Sequence, residues 1–238
     1  MEVYSDGEAL AAAVCEVVKS EAAKAIAAKG SFSMAIPSGS MVKALTGLSA
    51  GDCEFDKFHV FLTNENLDEY KSYVQCLVDF SQPCGIPFSQ VYKHADCDKV
   101  ASAAAYAQTL VDCVATTVEK AGSDTEPATV GGAVDLVLLG TGDDGHCASL
   151  YPGSPELAKT GSKEMVLAKA EEDAVTVSID FINAAGRVVL GAAEAKRGRM
   201  VSKALILGAN SSMPTGCVSG DQTTWFVDTD CIADYKAI

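Results

Sequence analysis

The stretch VDLVLLGTGDDGHCASLYPG, residues 134–153, decides how this chain is read. Its first seven residues form a nearly continuous apolar run. That pattern belongs to a strand buried on both faces, as in a parallel sheet with helices above and below. The run then breaks into glycines and aspartates, and Gly140, Gly142 and Gly145 permit backbone conformations that bulkier residues resist. In open α/β sheets, ligands bind beyond the carboxyl ends of the strands. The stretch therefore carries Asp144 and His146 to the position where a site is expected. An imidazole there can take a proton from water near neutral pH. A loop histidine with an ordinary hydrogen bond is the other reading of the same residues.

Working outward, residues 7–29 read as an Ala-rich helix with Leu10, Val14, Val17, Val18 and Ile26 on a recurring face and Gly30 as its stop. SFSMAI (31–36) reads as a strand, and PSGSMVKAL (37–45) as a turn and short helix. FHVFLT (58–63) is a second strand, SYVQCLVDF (72–80) a helix, and SQPCGIPFS (81–89) a loop. Residues 98–122 read as a long helix ending at Gly122, and SDTEPATVGGA (123–133) is the best linker candidate. After the opening stretch come strands near MVLAKA (165–170), AVTVSI (174–179) and RVVLGA (187–192). A helix follows near AEAKRGRMVSKAL (193–205), then a last strand, TTWFVD (223–228). Strands alternating with helices predict an α/β fold: a doubly wound, mostly parallel sheet with helices on both faces. One domain over residues 1–238 is expected, because the linker sits inside a continuous alternation.

Composition narrows the function. With 48% hydrophobic residues in 238, the chain can bury a large core. The formal net charge of −14 argues against nucleic acid as a partner and would repel an anionic substrate at long range. An anion would need a local cluster of cations or backbone N–H groups. Nine scattered cysteines with no CxxC pair read as reduced thiols, not as a disulfide frame or a zinc site. No secretory signal and no apolar run of membrane-spanning length is found. The expected compartment is the cytoplasm, with an organelle such as a plastid left open.

Two further segments lie at strand ends. Ser38, Gly39 and Ser40 stand between a strand and a helix, where backbone N–H groups and hydroxyls can cradle a phosphate. A helix start capped by serine is the plainer reading. TNENLDEYKSY (63–73) places Asn64, Glu65, Asn66, Asp68 and Glu69 after a strand, either as proton-moving carboxylates or as an acidic solvated loop. His59, within a strand, and His94, in a polar loop, read as structural.

These blocks together resemble the 6-phosphogluconolactonases. GTGDDGHCASLYPG is similar to their GxGxDGHxASLFPG signature, SFSMAIPSGSMVKAL to their phosphate loop, and FDKFHVFLTNEN to the strand before their Asp-Glu-Arg segment. VTVSIDFINAAGRVVLGAAEAKRGRMV and MPTGCVSGDQTTWFVD resemble their later blocks, in the same order. The resemblance implies hydrolysis of 6-phospho-D-glucono-1,5-lactone to 6-phosphogluconate, in the oxidative pentose phosphate pathway, with no metal and no organic cofactor. It implies His146 as general base, with Asp144, Gly142 and Gly145 shaping its loop. Ser38, Gly39 and Ser40, with Lys196 or Arg197, would bind the phosphate of a small sugar-phosphate lactone. Asn64 and Glu65 would lie at the substrate.

The chain also departs from the family pattern. Pro37 and Ser38 stand where Ser-Gly is usual, Asn64-Glu65-Asn66 replaces Asp-Glu-Arg, and Ala174 stands where an Arg often lies. Each charge-assisted bond lost to a phosphate costs roughly 1.5–3 kcal/mol. Hence a second expectation: a weak or inactive homologue that serves as a binding or structural subunit of an assembly. A third follows from NLDEY, which resembles glucosamine-6-phosphate deaminases and would make Asp68 the catalytic carboxylate. ASLYPG favours the lactonase side.

Overall fold

The computed structural model describes residues 1–120, 134–220 and 222–233. Strand β1 (Glu2–Tyr4) is followed by α1 (Gly7–Lys29), β2 (Phe32–Ile36), α2 (Ser40–Ala44), β3 (Phe58–Leu62) and β4 (Asn64–Asn66). Then come α3 (Lys71–Cys76), which runs through a π turn into α4 (Gln82–Cys84), and the long α5 (Lys99–Lys120). The second half holds β5 (Leu136–Gly140), β6 (Val166–Ala168), β7 (Ala174–Val177), α6 (Ile179–Asn183), β8 (Arg187–Ala192), α7 (Gly198–Leu207), α8 (Pro214–Cys217) and β9 (Thr223–Asp228). The linker candidate and the stop at Gly122 lie outside the described residues.

Six strands form one sheet in the order β1-β9-β8-β5-β2-β3, and every neighbouring pair in it is parallel. The apolar run of the opening stretch is its centre. Alternate side chains of a strand point to opposite faces, and β5 shows the consequence. Leu136 and Leu138 enter a core with α1, Phe32, Met34 and Phe58, whereas Val137 and Leu139 enter a second core with Tyr106, Leu190 and Met200. Both faces are covered, which is why the run has no polar alternation.

Two strands depart from the expected single alternation. β6 and β7 leave the parallel sheet and pair antiparallel with each other, and β7 pairs antiparallel with β4. Only five residues separate β6 from β7, too few for a parallel crossover, so a hairpin results. The 81–89 segment is also less of a loop than its two prolines suggest. The helix runs on through Cys84, with Pro83 in its short final segment, α4, and Gly85 in the left-handed conformation as its stop. The stop of α1 is as expected: Gly30 adopts φ +82° and its N–H donates to the Ile26 carbonyl at 2.9 Å.

Candidate active site

The loop after β5 folds tightly on itself. Gly142 N–H donates to the His146 carbonyl at 2.9 Å, and Gly145 N–H to the Gly142 carbonyl at 3.1 Å. Both glycines are required by geometry. A β-carbon at Gly142 would lie 2.1 Å from His146 Nδ1, and one at Gly145, where φ is +89°, would lie 2.5 Å from Met213 Sδ. One Asp144 oxygen, Oδ1, lies 2.7 Å from His146 Nδ1 and accepts the His146 backbone N–H at 3.1 Å. An ionised carboxylate can only accept, so Nδ1 of a neutral imidazole carries the proton and Nε2 keeps its lone pair. Partial burial works to raise the Asp144 carboxyl, but the two bonds from His146 outweigh it and hold the group below the usual range. The Tyr151 ring lies against the imidazole, with centroids 4.7 Å apart.

His146 lines a cleft of about 180 Å³ with Ser38, Gly39, Ser40, Asn64 and Thr141. Three distant segments of the sequence thus meet at the carboxyl end of the parallel sheet. Gly39 has φ +82°, and its peptide is not open on both sides. Gly39 N–H donates to Gln75 Oε1 at 2.8 Å, and Gln75 Nε2 donates to the Gly39 carbonyl at 3.4 Å. Ser40 opens α2 without a side-chain cap on that helix, and Gly39 is its N-cap.

Glu65 does not join Asn64 in the cleft. Residues 64–66 form a strand instead of a solvated loop, so adjacent side chains diverge and Glu65 is buried. Its carboxylate accepts backbone N–H bonds from Asn66 (3.1 Å), Ser72 (3.0 Å) and Tyr73 (2.7 Å). Burial pushes the Glu65 carboxyl up despite those bonds. It anchors the start of the helix that carries Gln75. Asp68 is exposed and lies outside the cleft, as does Glu69.

The cations of the expected phosphate site are differently placed. Lys196 is exposed and pairs with Glu194 at 3.0 Å. Arg197 turns inward, with Nε donating to the Thr141 carbonyl at 2.9 Å and Nη1 to the Ala193 carbonyl at 2.8 Å. Asp143 and Glu194 lie 3.5 and 3.7 Å from it. Arg197 thus braces the floor of the His146 loop. It lines a second cleft, of about 330 Å³, which shares Ser40 and Thr141 with the first.

Sequence reasoning missed Gln75, whose partner Gly39 is 36 positions away and which no local pattern marks. It also missed Thr141 and Tyr151, though both lie inside the opening stretch. His59 meets the Tyr92 hydroxyl through Nδ1 at 2.8 Å, and His94 is buried against the Tyr106 ring. Among the described residues no group of His, Cys, Asp and Glu is arranged to hold a metal ion, and no helix is long and apolar enough to cross a membrane.

Residues 5–226 match the family described as glucosamine-6-phosphate isomerases/6-phosphogluconolactonase. A rice protein named probable 6-phosphogluconolactonase 3, chloroplastic (Oryza sativa subsp. indica), is 28% identical over 99% of this chain and 76% of its own. The 6-phosphogluconolactonase of Rhizobium meliloti is 27% identical over 90% of each. Among solved structures, 6-phosphogluconolactonase from Shewanella baltica superposes with a TM-score of 0.77 at 18% identity, covering 96% of this chain and 97% of that one. The Trypanosoma brucei 6-phosphogluconolactonase gives 0.74 at 19% identity, covering 98% and 97%. At those identities the superpositions show the shared fold.

Proposed function

The chain belongs to the glucosamine-6-phosphate isomerase/6-phosphogluconolactonase family, and we propose that it hydrolyses 6-phospho-D-glucono-1,5-lactone to 6-phosphogluconate with His146 as general base. The observation that carries this reading is the contact of Asp144 with His146, which lines a cleft beyond the central strand. Asp144 holds the proton on Nδ1 and leaves Nε2 to accept one from water. The resulting hydroxide adds to the lactone carbonyl, and the bond from that carbon to the ring oxygen breaks. The ring oxygen takes the proton back from the imidazolium and leaves as a hydroxyl. Between the two transfers, the Asp144 carboxylate stabilises the imidazolium charge. An ester carbonyl is already activated, so one base and good positioning supply most of what the reaction needs.

The reading needs no metal and no organic cofactor. Among the described residues the nine cysteines form no disulfide, which suits a reducing compartment, the cytoplasm or a plastid stroma.

The pairing of Lys196 and Arg197 with nearby carboxylates favours one second reading, a homologue that retains the fold as a binding or assembly subunit. An assay on fresh 6-phosphogluconolactone separates the two. The wild type should exceed spontaneous hydrolysis, and His146→Ala should lose about 10²–10⁴-fold in kcat. If both proteins only match the spontaneous rate, the enzyme reading fails.

A further inference from the structure

We propose that Lys43, in the larger cleft, is the cation that holds the phosphate of the substrate, an inference that rests on the lactonase reading above. The argument begins with charge. No lysine or arginine lines the smaller cleft around His146, so the dianionic end of the substrate must reach beyond it. The two clefts share Ser40 and Thr141, and the cations lining the larger one are Lys43 and Arg197. The Arg197 guanidinium is already engaged by two carbonyls and two carboxylates. Lys196 is absent from both linings and paired with Glu194. Lys43 is exposed and takes part in no ion pair among the described residues.

The backbone points the same way. A phosphate on the 38–40 loop would seek the Gly39 N–H, but Gln75 Oε1 occupies that donor at 2.8 Å. The Ser40 hydroxyl, at the junction of the clefts, is the loop group open to both. Lys43 follows Ser40 by three residues in α2, and that spacing puts both on one helix face. An ammonium on a flexible stem acts as a point charge that can follow a phosphate. The larger cleft also holds Glu8, another group without an ion pair among the described residues. Its carboxylate accepts hydrogen bonds, as the hydroxyls of a sugar chain require. The lactone carbonyl then lies at His146 in the smaller cleft, with the phosphate in the larger.

The test combines steady-state kinetics on 6-phosphogluconolactone with calorimetric titration of 6-phosphogluconate and of gluconate, using wild type, Lys43→Ala and Lys43→Arg. Lys43→Ala should raise KM by about tenfold or more with kcat within about twofold, and weaken 6-phosphogluconate equally, the loss of one charge-assisted contact. Gluconate, which lacks the phosphate, should bind both proteins alike, and Lys43→Arg should restore most of the loss. A KM and a product affinity unchanged in Lys43→Ala overturn the proposal, as does an equal loss for gluconate. Hydrolysis with a Lys43-independent KM fells the phosphate site alone. A wild type that binds 6-phosphogluconate through Lys43 without hydrolysing the lactone fells the lactonase reading alone. A wild type that neither binds nor hydrolyses overturns both.

Discussion

The imidazole of His146 folds back over Gly142 so closely that a β-carbon at residue 142 would lie 2.1 Å from Nδ1 and 2.6 Å from Asp144 Oδ1. The glycine and the histidine therefore act as one unit. Gly142→Ala must displace the ring by more than an ångström, and misplacement on that scale costs about 10²-fold in rate. The expected result is a loss of about that size in kcat/KM with an unchanged far-ultraviolet circular dichroism spectrum. Full activity in Gly142→Ala would show that His146 does not react from this position.

Asp144→Asn tests the partner rather than the base. An amide can present its NH₂ to Nδ1, which favours the tautomer with the proton on Nε2 and removes the lone pair needed for water. Asp144→Asn should fall about 10²-fold or more in kcat with KM little changed, the scale of losing one positioned proton acceptor. A fall in substrate affinity alone would assign Asp144 to binding instead.

His94 makes the stability of the protein sensitive to acid. It is buried, its ring centroid lies 3.6 Å from that of Tyr106, and neither of its nitrogens has a hydrogen-bond partner among the described residues. Burial pushes its pKa down to about 3, against 6.5 for the free side chain. The unfolded chain therefore takes up the proton first. Above about pH 6.5 the ring is neutral in both states and adds no pH dependence, and stability is lost as pH falls from there toward about 3, by up to about 1.4 kcal/mol per unit. In urea denaturation, His94→Phe should flatten the decline between pH 6.5 and 4.5. Parallel curves for wild type and variant would remove His94 as its source.

Glu65→Ala should destabilise the protein by about 3 kcal/mol in urea denaturation. It strands the N–H groups of Ser72 and Tyr73 at the start of α3, and unmet buried donors cost about 1–3 kcal/mol each. Glu65→Gln keeps an acceptor and should lose less. If Glu65→Ala is as stable as wild type but inactive, Glu65 belongs to the chemistry and not to the scaffold.

Much of this was legible in the residues because it is local. The two faces of β5 follow from an apolar run seven residues long, and the His146 loop from glycines and an aspartate within four residues of the histidine. Contacts of that span depend on backbone geometry that the chain carries with it. Glu65 was misjudged for a related reason. Its acidic neighbours suggested a wet loop, but pairing of residues 64–66 with β7 turned it inward. Nothing in residues 63–73 announces a partner more than a hundred positions on.

The sequence alone determined a parallel sheet with a histidine, His146, delivered to its carboxyl end, since periodicity and turn chemistry act over a few residues. Tertiary structure decided which charges remain available around that histidine. Arg197 reaches Thr141 across 56 positions, Gln75 reaches Gly39 across 36, and Lys43 has no ion pair among the described residues. A charge is cancelled or left free by whatever the folded chain brings within a few ångströms of it, and spacing along the chain does not encode that distance.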